Sequence, residues 1–435
     1  MLPDLIEVGL ISVPGFFLLY LALLSILALA ARPKKTTGAG PAVSRPGPGL
    51  VPPGGTERDG AARERECNSR LFAVVVPAHN EEQSIGKTLV SLFSVDYPGS
   101  MFDVIVIADN CTDKTSEIAR QSGAKVLERK DPISRGKGFA LRWGFDRLVS
   151  GKPAYDAIVV IDADSVVSNN FLSVMDTYLG RGARVIQSSD MVEPRPGAWN
   201  SEVTRLGFTL HNYSRPLGRR LLNCSAGLFG NGMCFTTEIL RAYPWNAYSL
   251  NEDLEYGLML VLRGITVRFA PEACVFAAMP ADASNSESQR ARWERGRFPI
   301  IQKYAGRLLK TAVKKFSWKA FDAYVELVIP PFVNLMVLAS ALAVVNLCLG
   351  LFGVETASRF ALAWLALPLL GLVHVTAGLR AARADGLLYR ALYYVPRYAL
   401  WKFKFYRKLY RRMPTKEWIR TTRDRTAAPP VADKN

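Results

Sequence analysis

Four groups of acidic and polar residues follow one another along this chain, and their types suit chemistry on a phosphate-bearing substrate. Two of the groups end apolar, β-branched runs, and all four lie between one N-terminal apolar segment and two C-terminal ones. This layout predicts a catalytic domain that binds a metal and a diphosphate and lies against a membrane. The groups are Asp109 in VIVIADN, Asp162 and Asp164 in VVIDADS, Asp253 in LNEDLEY, and Gln289, Arg292 and Trp293 in QRARW.

Asp162 and Asp164 follow the apolar run VVI, at the point where the chain leaves a predicted strand. Two carboxylates at that position reach the same edge of the sheet and can bind Mg²⁺ or Mn²⁺ through oxygen, leaving room for phosphate oxygens. The metal would then neutralise charge on a diphosphate leaving group. The competing interpretation is a solvated turn after a strand, and the preceding run and Ser165 favour the metal site.

Asp109 also ends a predicted strand, where an acid can accept hydrogen bonds from a base or ribose. Alternatively, Asp109 and Thr112 cap the next helix. Farther along, the run from Arg135 to Gly138 places Lys137 between glycines at the start of a predicted helix, a position that favours anions. A basic loop with a glycine turn explains that run equally well.

Asp253 begins a predicted helix, where a carboxylate near an acceptor hydroxyl can serve as a general base. Acids are also simply favourable in the first turn of a helix. The neighbours Glu252 and Glu255 are therefore competing candidates, and the pattern alone does not choose among the three.

Gln289, Arg292 and Trp293 share one helical face because they are spaced i, i+3 and i+4. Trp293 can stack on a sugar, while Gln289 and Arg292 can donate hydrogen bonds to hydroxyl or phosphate oxygens. An amphipathic surface helix with its Trp toward the membrane is the alternative.

Short β-branched runs alternate with helical patterns from Phe72 to about Pro271, which predicts a mostly parallel sheet with helices on both faces. Ligands bind at the carboxyl ends of the strands in such α/β sheets. The predicted strands are Phe72–Val76, Asp103–Ala108, Lys125–Arg129, Ala157–Asp162, Arg184–Ser188 and Thr266–Ala270.

Three apolar segments are long enough to cross the hydrocarbon core of a bilayer, which is about 30 Å thick. They are Leu10–Ala31, Ile329–Phe352 and Phe360–Leu379. Arg32, Lys34 and Lys35 directly follow the first, and the segment after the third is strongly basic. The positive-inside rule therefore places both ends of the catalytic domain in the cytoplasm.

The net charge is +17, and residues 380–425 carry 14 Lys/Arg against 3 Asp/Glu. Because this excess follows apolar segments and is interleaved with aromatic residues, it favours a membrane surface over nucleic acid. Six scattered cysteines without a CxxC pair indicate neither a zinc site nor a disulfide framework. The predicted units are an anchor (1–32), a Pro/Gly-rich linker (33–70), a catalytic domain (71–310), an interfacial helix (311–328), two spanning helices (329–380), and a basic interfacial helix with a tail (381–435).

The ordered set of motifs resembles the family 2 glycosyltransferases, in particular their cellulose-synthase-like membrane branch. VVVPAHNEE, RGKGFALRWG, FGNGMCF (Phe229–Phe235) and Trp418-Ile419-Arg420-Thr421 add to the four groups. The resemblance covers about Leu71 to Arg307 and implies a GT-A-type α/β fold. Asn110 after Asp109 departs from the paired acids that the family often has there. Three spans are also fewer than polymer-extruding members usually have.

Carried over by position, the resemblance implies a role for each matching residue. Asp109 would contact the uracil or ribose of a UDP-sugar, with His79 and Glu81 nearby, and Lys137 would lie near the nucleotide. Asp162 would support the diphosphate site and Asp164 would ligate the metal, Mg²⁺ or Mn²⁺. Asp253 would be the base for inverting transfer, and Gln289, Arg292 and Trp293 would position the acceptor and diphosphate.

The sequence thus predicts an integral membrane hexosyltransferase, in the cell's inner (plasma) membrane, with a cytosolic catalytic domain. Its partners would be a UDP-sugar donor, a polysaccharide or lipid acceptor, the membrane, and export or partner subunits, but no nucleic acid. The alternative is a non-catalytic membrane component of a polysaccharide synthesis complex that binds nucleotide-sugar.

Overall fold

A computed structural model describes residues 2–33, 69–194, 197–277 and 283–411. Most of the predicted linker and the Trp418–Thr421 motif lie outside these residues. All six predicted strands are present, and the described ranges add two short ones that the sequence did not indicate, β5 and β7. The strands are β1 (Phe72–Ala78), β2 (Phe102–Asp109), β3 (Lys125–Arg129), β4 (Ala157–Val160), β5 (Ser165–Val167), β6 (Val185–Val192), β7 (Met233–Thr236) and β8 (Arg268–Ala277).

In the described part of the chain, the strands form one eight-stranded sheet in the order β3-β2-β1-β4-β7-β6-β8-β5. Strands β3, β2, β1 and β4 pair in parallel, and β6 pairs in parallel with β8. Strands β7 and β5 run in the opposite direction to their neighbours. The mostly parallel sheet predicted from the sequence is therefore confirmed, and the carboxyl ends of β1, β2 and β4 meet at one edge.

Helices alternate with these strands and continue into the C-terminal segments. They are α1 (Leu2–Ala30), α2 (Ile85–Phe93), α3 (Thr115–Gln121), α4 (Lys137–Ser150), α5 (Phe171–Gly180), α6 (Trp199–Phe208), α7 (Arg215–Leu221), α8 (Thr237–Ala242), α9 (Glu252–Leu262), α10 (Ala283–Lys314), α11 (Trp318–Val328), α12 (Phe332–Leu351), α13 (Glu355–Ala381), α14 (Gly386–Arg390) and α15 (Val395–Arg411), with a π-helical turn at Thr209–Ser214 and 3₁₀ turns at Gly99–Met101 and Ala391–Tyr394.

The alternation of side chains along β1 divides the core into two layers, because successive residues of a strand point to opposite faces. Ala73 and Val75 pack on the face that α4 covers, whereas Phe72, Val74 and Val76 pack on the face covered by α2 and α5. Both faces of the sheet are thus buried, which explains why the strands are continuous apolar runs.

Among the described residues, three helices are long and apolar enough to cross a membrane: Asp4–Ala30, Phe332–Leu351 and Glu355–Ala381. They correspond to α1, α12 and α13 and confirm the three predicted segments. Helix α1 packs against α13 and also against α7, which lies between β6 and β7 in the sequence. At that second contact Gly218 is required, because a Cβ there would lie 2.1 Å from the carbonyl oxygen of Leu24.

The segment predicted as an interfacial helix is built differently. Helix α10 continues to Lys314, so the boundary predicted at residue 310 falls inside it. The chain then turns at Phe316, which has φ +47°, and α11 begins after Ser317, whose hydroxyl caps the helix. Helix α11 exposes Trp318 but buries Asp322 against α7, so one face belongs to the protein core rather than to a membrane surface.

Candidate active site

Asp109 forms a buried ion pair with Arg129 at the carboxyl edge of the sheet. The two residues face each other in the register of the parallel strands β2 and β3. Arg129 donates to the carboxylate of Asp109 at 2.6 Å and to that of Asp131 at 2.7 Å. His79, at the end of β1, lies with its Nδ1 2.7 Å from the carbonyl oxygen of Asp109. This edge therefore presents a fixed acid beside an imidazole.

Two asparagines in the left-handed region, Asn80 (φ +56°) and Asn110 (φ +51°), join the loops that follow β1, β2 and β3. The side-chain oxygen of Asn80 accepts from the N–H of Thr112 at 2.8 Å, and that of Asn110 accepts from the N–H of Asp131 at 2.8 Å. Asparagine adopts this backbone conformation more readily than most residues. The Asn110 that departs from the family pattern thus has a structural task in this loop.

The carboxyl of Asp109 has a raised pKa. Removal from water raises the pKa of this carboxyl above its ordinary value, and the hydrogen bond and charge of Arg129 oppose that rise. Glu81 lies close by at the start of the loop, where its carboxylate accepts from the hydroxyl of Ser84 at 2.6 Å. Asp109, His79 and Glu81 all line the same cavity.

Lys137 is the first residue of α4, and its ammonium joins two parts of the site. It donates to the carboxylate of Asp162 and to the carbonyl oxygen of Gly230, the latter at 2.6 Å. Burial alone would lower the pKa of Lys137, but the carboxylates of Asp162 and Glu252 raise it above its ordinary value. The lysine is therefore a fixed cation at the helix start, where a phosphate is already favoured.

Asn231 connects the acids at the ends of β4 and β6. Its side-chain oxygen accepts from the N–H of Asp162 at 3.0 Å, and its amide nitrogen lies 2.9 Å from the hydroxyl of Ser165 and 3.4 Å from Asp190. The hydroxyl of Ser165 in turn lies 3.3 Å from Asp164. Asp162, Asp164 and Asp190 thus belong to one network that faces the cavity.

Asp190 was not predicted as a site residue, because the predicted strand ended at Ser188 whereas β6 continues to Val192. Burial raises its pKa well above the ordinary value, and the charges of Asp162 and Asp164 add to the rise. Negative charge is therefore incompletely balanced at this point, and a divalent cation would relieve it.

The donor set fits Mg²⁺ or Mn²⁺, since it consists of carboxylate oxygens. The described residues contain no group of three or more His, Cys, Asp or Glu placed to bind a metal ion. A small number of protein ligands is what a phosphate-bound Mg²⁺ needs, because substrate oxygens and water complete its coordination. Asp162 and Asp164 would then bind such an ion together with a diphosphate.

Asp253 lies in the first turn of α9, against the backbone of Gly230. A Cβ on Gly230, whose φ is +82°, would lie 3.0 Å from the Asp253 carboxylate and 3.6 Å from the ammonium of Lys137. A glycine is therefore needed here, both for its conformation and for the approach of the two side chains. The acid and the phosphate-side lysine converge on the same backbone position.

The two adjacent acids of α9 are both shifted. Burial, followed by the charge of Asp253, raises the pKa of Glu252 to about 7, and burial raises the pKa of Asp253 above its ordinary value. Both residues line the cavity. Glu255 does not line this cavity. Its carboxylate lies beside a separate, smaller pocket and accepts a hydrogen bond from Lys303 at 2.6 Å. The three candidates for a general base are thereby reduced to Asp253 and Glu252.

Gln289, Arg292 and Trp293 lie on α10, as their spacing predicted, and line the cavity. The carbonyl oxygen of Trp293 accepts from the side chain of Asn251 at 3.2 Å, which fixes α10 against the start of α9. Within the described ranges, the buried Nε of Arg292 has no hydrogen-bond partner. An unmet guanidinium donor beside a cavity suits an oxygen-rich ligand.

The structure brings all ten predicted site residues to one cavity of about 1880 Å³. Arg129, Asp190 and Asn231 complete the site and were missed. The FGNGMCF motif could have indicated Asn231. The Asp109–Arg129 pair depends on the register of β2 and β3, which cannot be read from the sequence.

Comparisons with known proteins identify the family of this chain. Residues 69–296 match the family model described as "Glycosyltransferase like family 2". A probable glycosyltransferase, YdaM of Bacillus subtilis, is 25% identical over 310 residues, which cover 66% of this chain and 68% of that protein.

Two further proteins, one relative in sequence and one solved structure, are similar to part of this chain. A beta-monoglucosyldiacylglycerol synthase of Synechocystis is 28% identical over 256 residues, or 57% of this chain, so this chain spans about half (51%) of that relative. The solved mannosyltransferase PcManGT of Pyrobaculum calidifontis is 16% identical, with a TM-score of 0.44, over 70% of this chain and 86% of its own.

Proposed function

The chain belongs to glycosyltransferase family 2 and has the GT-A-type fold, and on this basis we propose that it is a membrane-bound inverting glycosyltransferase. It would move a sugar from a UDP-sugar to a lipid or polysaccharide acceptor and depend on Mg²⁺ or Mn²⁺. The convergence of Lys137 and Asp253 on Gly230 carries the proposal, because a cation suited to a phosphate and a candidate base lie beside the same backbone position.

The donor would lie along the carboxyl edge of the sheet. Asp109, fixed by Arg129, would accept hydrogen bonds from the uracil or ribose, with His79 and Glu81 beside it. The diphosphate would then reach the helix start at Lys137 and the acids Asp162 and Asp164. A divalent cation bound there would neutralise charge on the departing UDP.

In the proposed transfer, an acceptor hydroxyl attacks the anomeric carbon from the side opposite to the diphosphate. Asp253 takes the hydroxyl proton as the new C–O bond forms, and the bond from that carbon to the phosphate oxygen breaks. UDP leaves with the electron pair of that bond, and the anomeric configuration inverts. Glu252 is the second candidate for the base, because its pKa of about 7 also suits proton transfer near neutrality.

Gln289, Arg292 and Trp293 would position the acceptor and the diphosphate at the membrane side of the cavity. A lipid acceptor agrees with the name of the Synechocystis relative, and the motif resemblance to the polysaccharide synthases keeps the polymer open. The basic residues that flank the spans support a cytosolic catalytic domain in the inner (plasma) membrane.

The test is release of UDP by the purified full-length chain in nanodiscs, supplied with a panel of UDP-sugars, lipid and oligosaccharide acceptors, and Mg²⁺ or Mn²⁺. Asp253→Asn should abolish transfer and leave donor binding intact, whereas Asp146→Asn, at an exposed ion pair, should leave both unchanged. Donor binding without UDP release under every condition would instead support a non-catalytic subunit of a synthesis complex.

A further inference from the structure

The cavity does not end at the transfer site but continues to the spanning helices. Beyond Trp293 its wall is formed by apolar residues of α12 and α13 and of the segment before α15. The residues that make this apolar groove are Phe332, Val333, Met336, Leu372, Val375 and Leu392. A groove that joins spanning helices to a transfer site suits hydrocarbon chains rather than a hydrated sugar polymer.

Charged residues of α7, α10 and α11 line the same cavity, and we call them the charged belt: Arg215, Arg219, Arg290, Arg292, Glu294, Arg297 and Glu326. Arg219 donates from Nε to Asp322 at 2.8 Å. Arg297 donates to the backbone carbonyls of Glu326 and Ile329 at 2.8 and 3.0 Å. The guanidinium groups of Arg219 and Arg297 thus have hydrogen-bond partners within the protein.

Arg215 is different, although it also lines the cavity. Its Nη1 lies 3.6 Å from Glu326, beyond hydrogen-bond distance, and its side chain is 8% exposed. Within the described ranges, neither its Nε nor the fully buried Nε2 of His374 has a hydrogen-bond partner. A buried N–H donor left without a partner costs about 1–3 kcal/mol, so a ligand oxygen at the Nε of Arg215 would be favoured.

The belt also has a surplus of positive charge. Arg290, Arg292, Arg297 and Lys402 line the cavity together with Glu294 and Glu326, so cations outnumber acids among these residues even with the Glu326 carboxylate 3.6 Å from Arg215. His211, which also lines it, is neutral, because burial and the charge of Arg215 lower its pKa to about 3. The complementary ligand group is therefore an anion.

The belt lies within reach of the transfer site along one short loop. The carbonyl oxygen of Ala226 accepts from Arg219 at 3.4 Å, and that of Gly230 accepts from Lys137. Four residues of extended chain span at most about 14 Å. The charged belt and the transfer site are therefore neighbouring parts of one cavity.

We propose that the cavity is the binding site of an anionic acceptor lipid, with its chains in the apolar groove, its phosphate at Arg215 and its hydroxyl-bearing end toward Asp253. This inference rests on the proposed glycosyl transfer and selects the lipid among its acceptors. A polysaccharide acceptor would leave the apolar groove and the buried Nε of Arg215 unused.

The test uses the full chain in nanodiscs of phosphatidylcholine with added phosphatidylglycerol, which is anionic and has a free hydroxyl, or with added diacylglycerol, which has the hydroxyl without the charge. Phosphatidylglycerol should raise UDP release at least about tenfold more than diacylglycerol. Val333→Trp fills the groove and should remove that gain. Val344→Trp, on the same helix but 60% exposed toward the lipid side, should keep it.

Two measurements separate failure of this inference from failure of the proposed function. Donor binding should be unchanged in Val333→Trp, and Arg215→Gln should lose the preference for the anionic lipid while Arg215→Lys regains part of it. Equal UDP release by Val333→Trp and wild type, or turnover on oligosaccharides alone, would overturn the lipid site and leave glycosyl transfer standing. No UDP release with any acceptor would overturn both.

Discussion

Arg290 of α10 donates a hydrogen bond to the hydroxyl of Tyr398 on α15, and its guanidinium lies 4.9 Å from the centroid of that ring. Arg290 sits between Gln289 and Arg292, whereas Tyr398 belongs to the basic amphipathic helix that also exposes Leu400 and Phe403. The helix that would touch the acceptor is thus joined to the one that would touch the membrane surface.

Replacing Tyr398 should reduce turnover without reducing donor affinity. Tyr398→Ala removes both the hydrogen bond and the cation–π contact, which together contribute about 1–3 kcal/mol to the placement of α10. We expect a fall in kcat of about tenfold or more, with the dissociation constant for the UDP-sugar unchanged. Tyr398→Phe keeps the ring and should lose less; equal losses in both variants would argue against the stacking contact.

The acids of α9 predict a specific pH profile. A carboxylate base acts only when ionised, so activity should fall as the pH drops through the raised pKa values of the two acids, that of Glu252 being about 7 and that of Asp253 lying above its ordinary value. Glu252→Gln removes the repulsion within the pair and should move the acidic limb of kcat/KM about one unit lower, with activity at pH 8 largely kept. Loss of all activity at pH 8 would instead identify Glu252 as the base.

Metal dependence should disappear together with Asp162 and Asp164. Chelation of divalent ions from the wild type should lower UDP release at least about 100-fold, and Mg²⁺ or Mn²⁺ should restore it. The double variant Asp162→Asn/Asp164→Asn should be as inactive with metal as without. Full activity of the wild type after chelation would contradict the metal role, and isothermal titration with Mn²⁺ plus UDP checks binding separately.

The contact between α7 and α1 predicts a pair of opposite stability changes. Gly218→Ala puts a methyl group 2.1 Å from the Leu24 carbonyl and should destabilise the protein by about 1–3 kcal/mol. Gly207→Ala on the neighbouring helix meets no atom within 4 Å and should stabilise by about 0.5–1 kcal/mol. Thermal unfolding in detergent measures both, and similar shifts would refute the close packing of α1.

The long buried strands were predictable because burial on both faces demands continuous β-branched runs, as in β1 and β2. Strands β5 and β7 were not, since they have only three and four residues and exist through antiparallel pairing with distant strands. Local propensity is too weak a signal at that length.

The site was predictable where a motif ends a strand or begins a helix, as at Asp162 and Lys137. Arg129 could not be found in this way, because its role comes from lying opposite Asp109 in the β2–β3 register. The ion pair between Arg219 and Asp322 could not be predicted either, because Asp322 lies in a segment whose lysines and aromatic residues resemble those of a membrane-surface helix.

Tyr20 of α1 donates to Asp322 at 2.8 Å and to Glu326 at 3.2 Å, so a spanning helix is bonded to the same acids that anchor α7. In the proposed membrane-bound enzyme, this contact would fix the height of the transfer site above the bilayer. Shortening or lengthening the sequence between α1 and β1 should then not alter how deep in the membrane an acceptor must sit to be glycosylated.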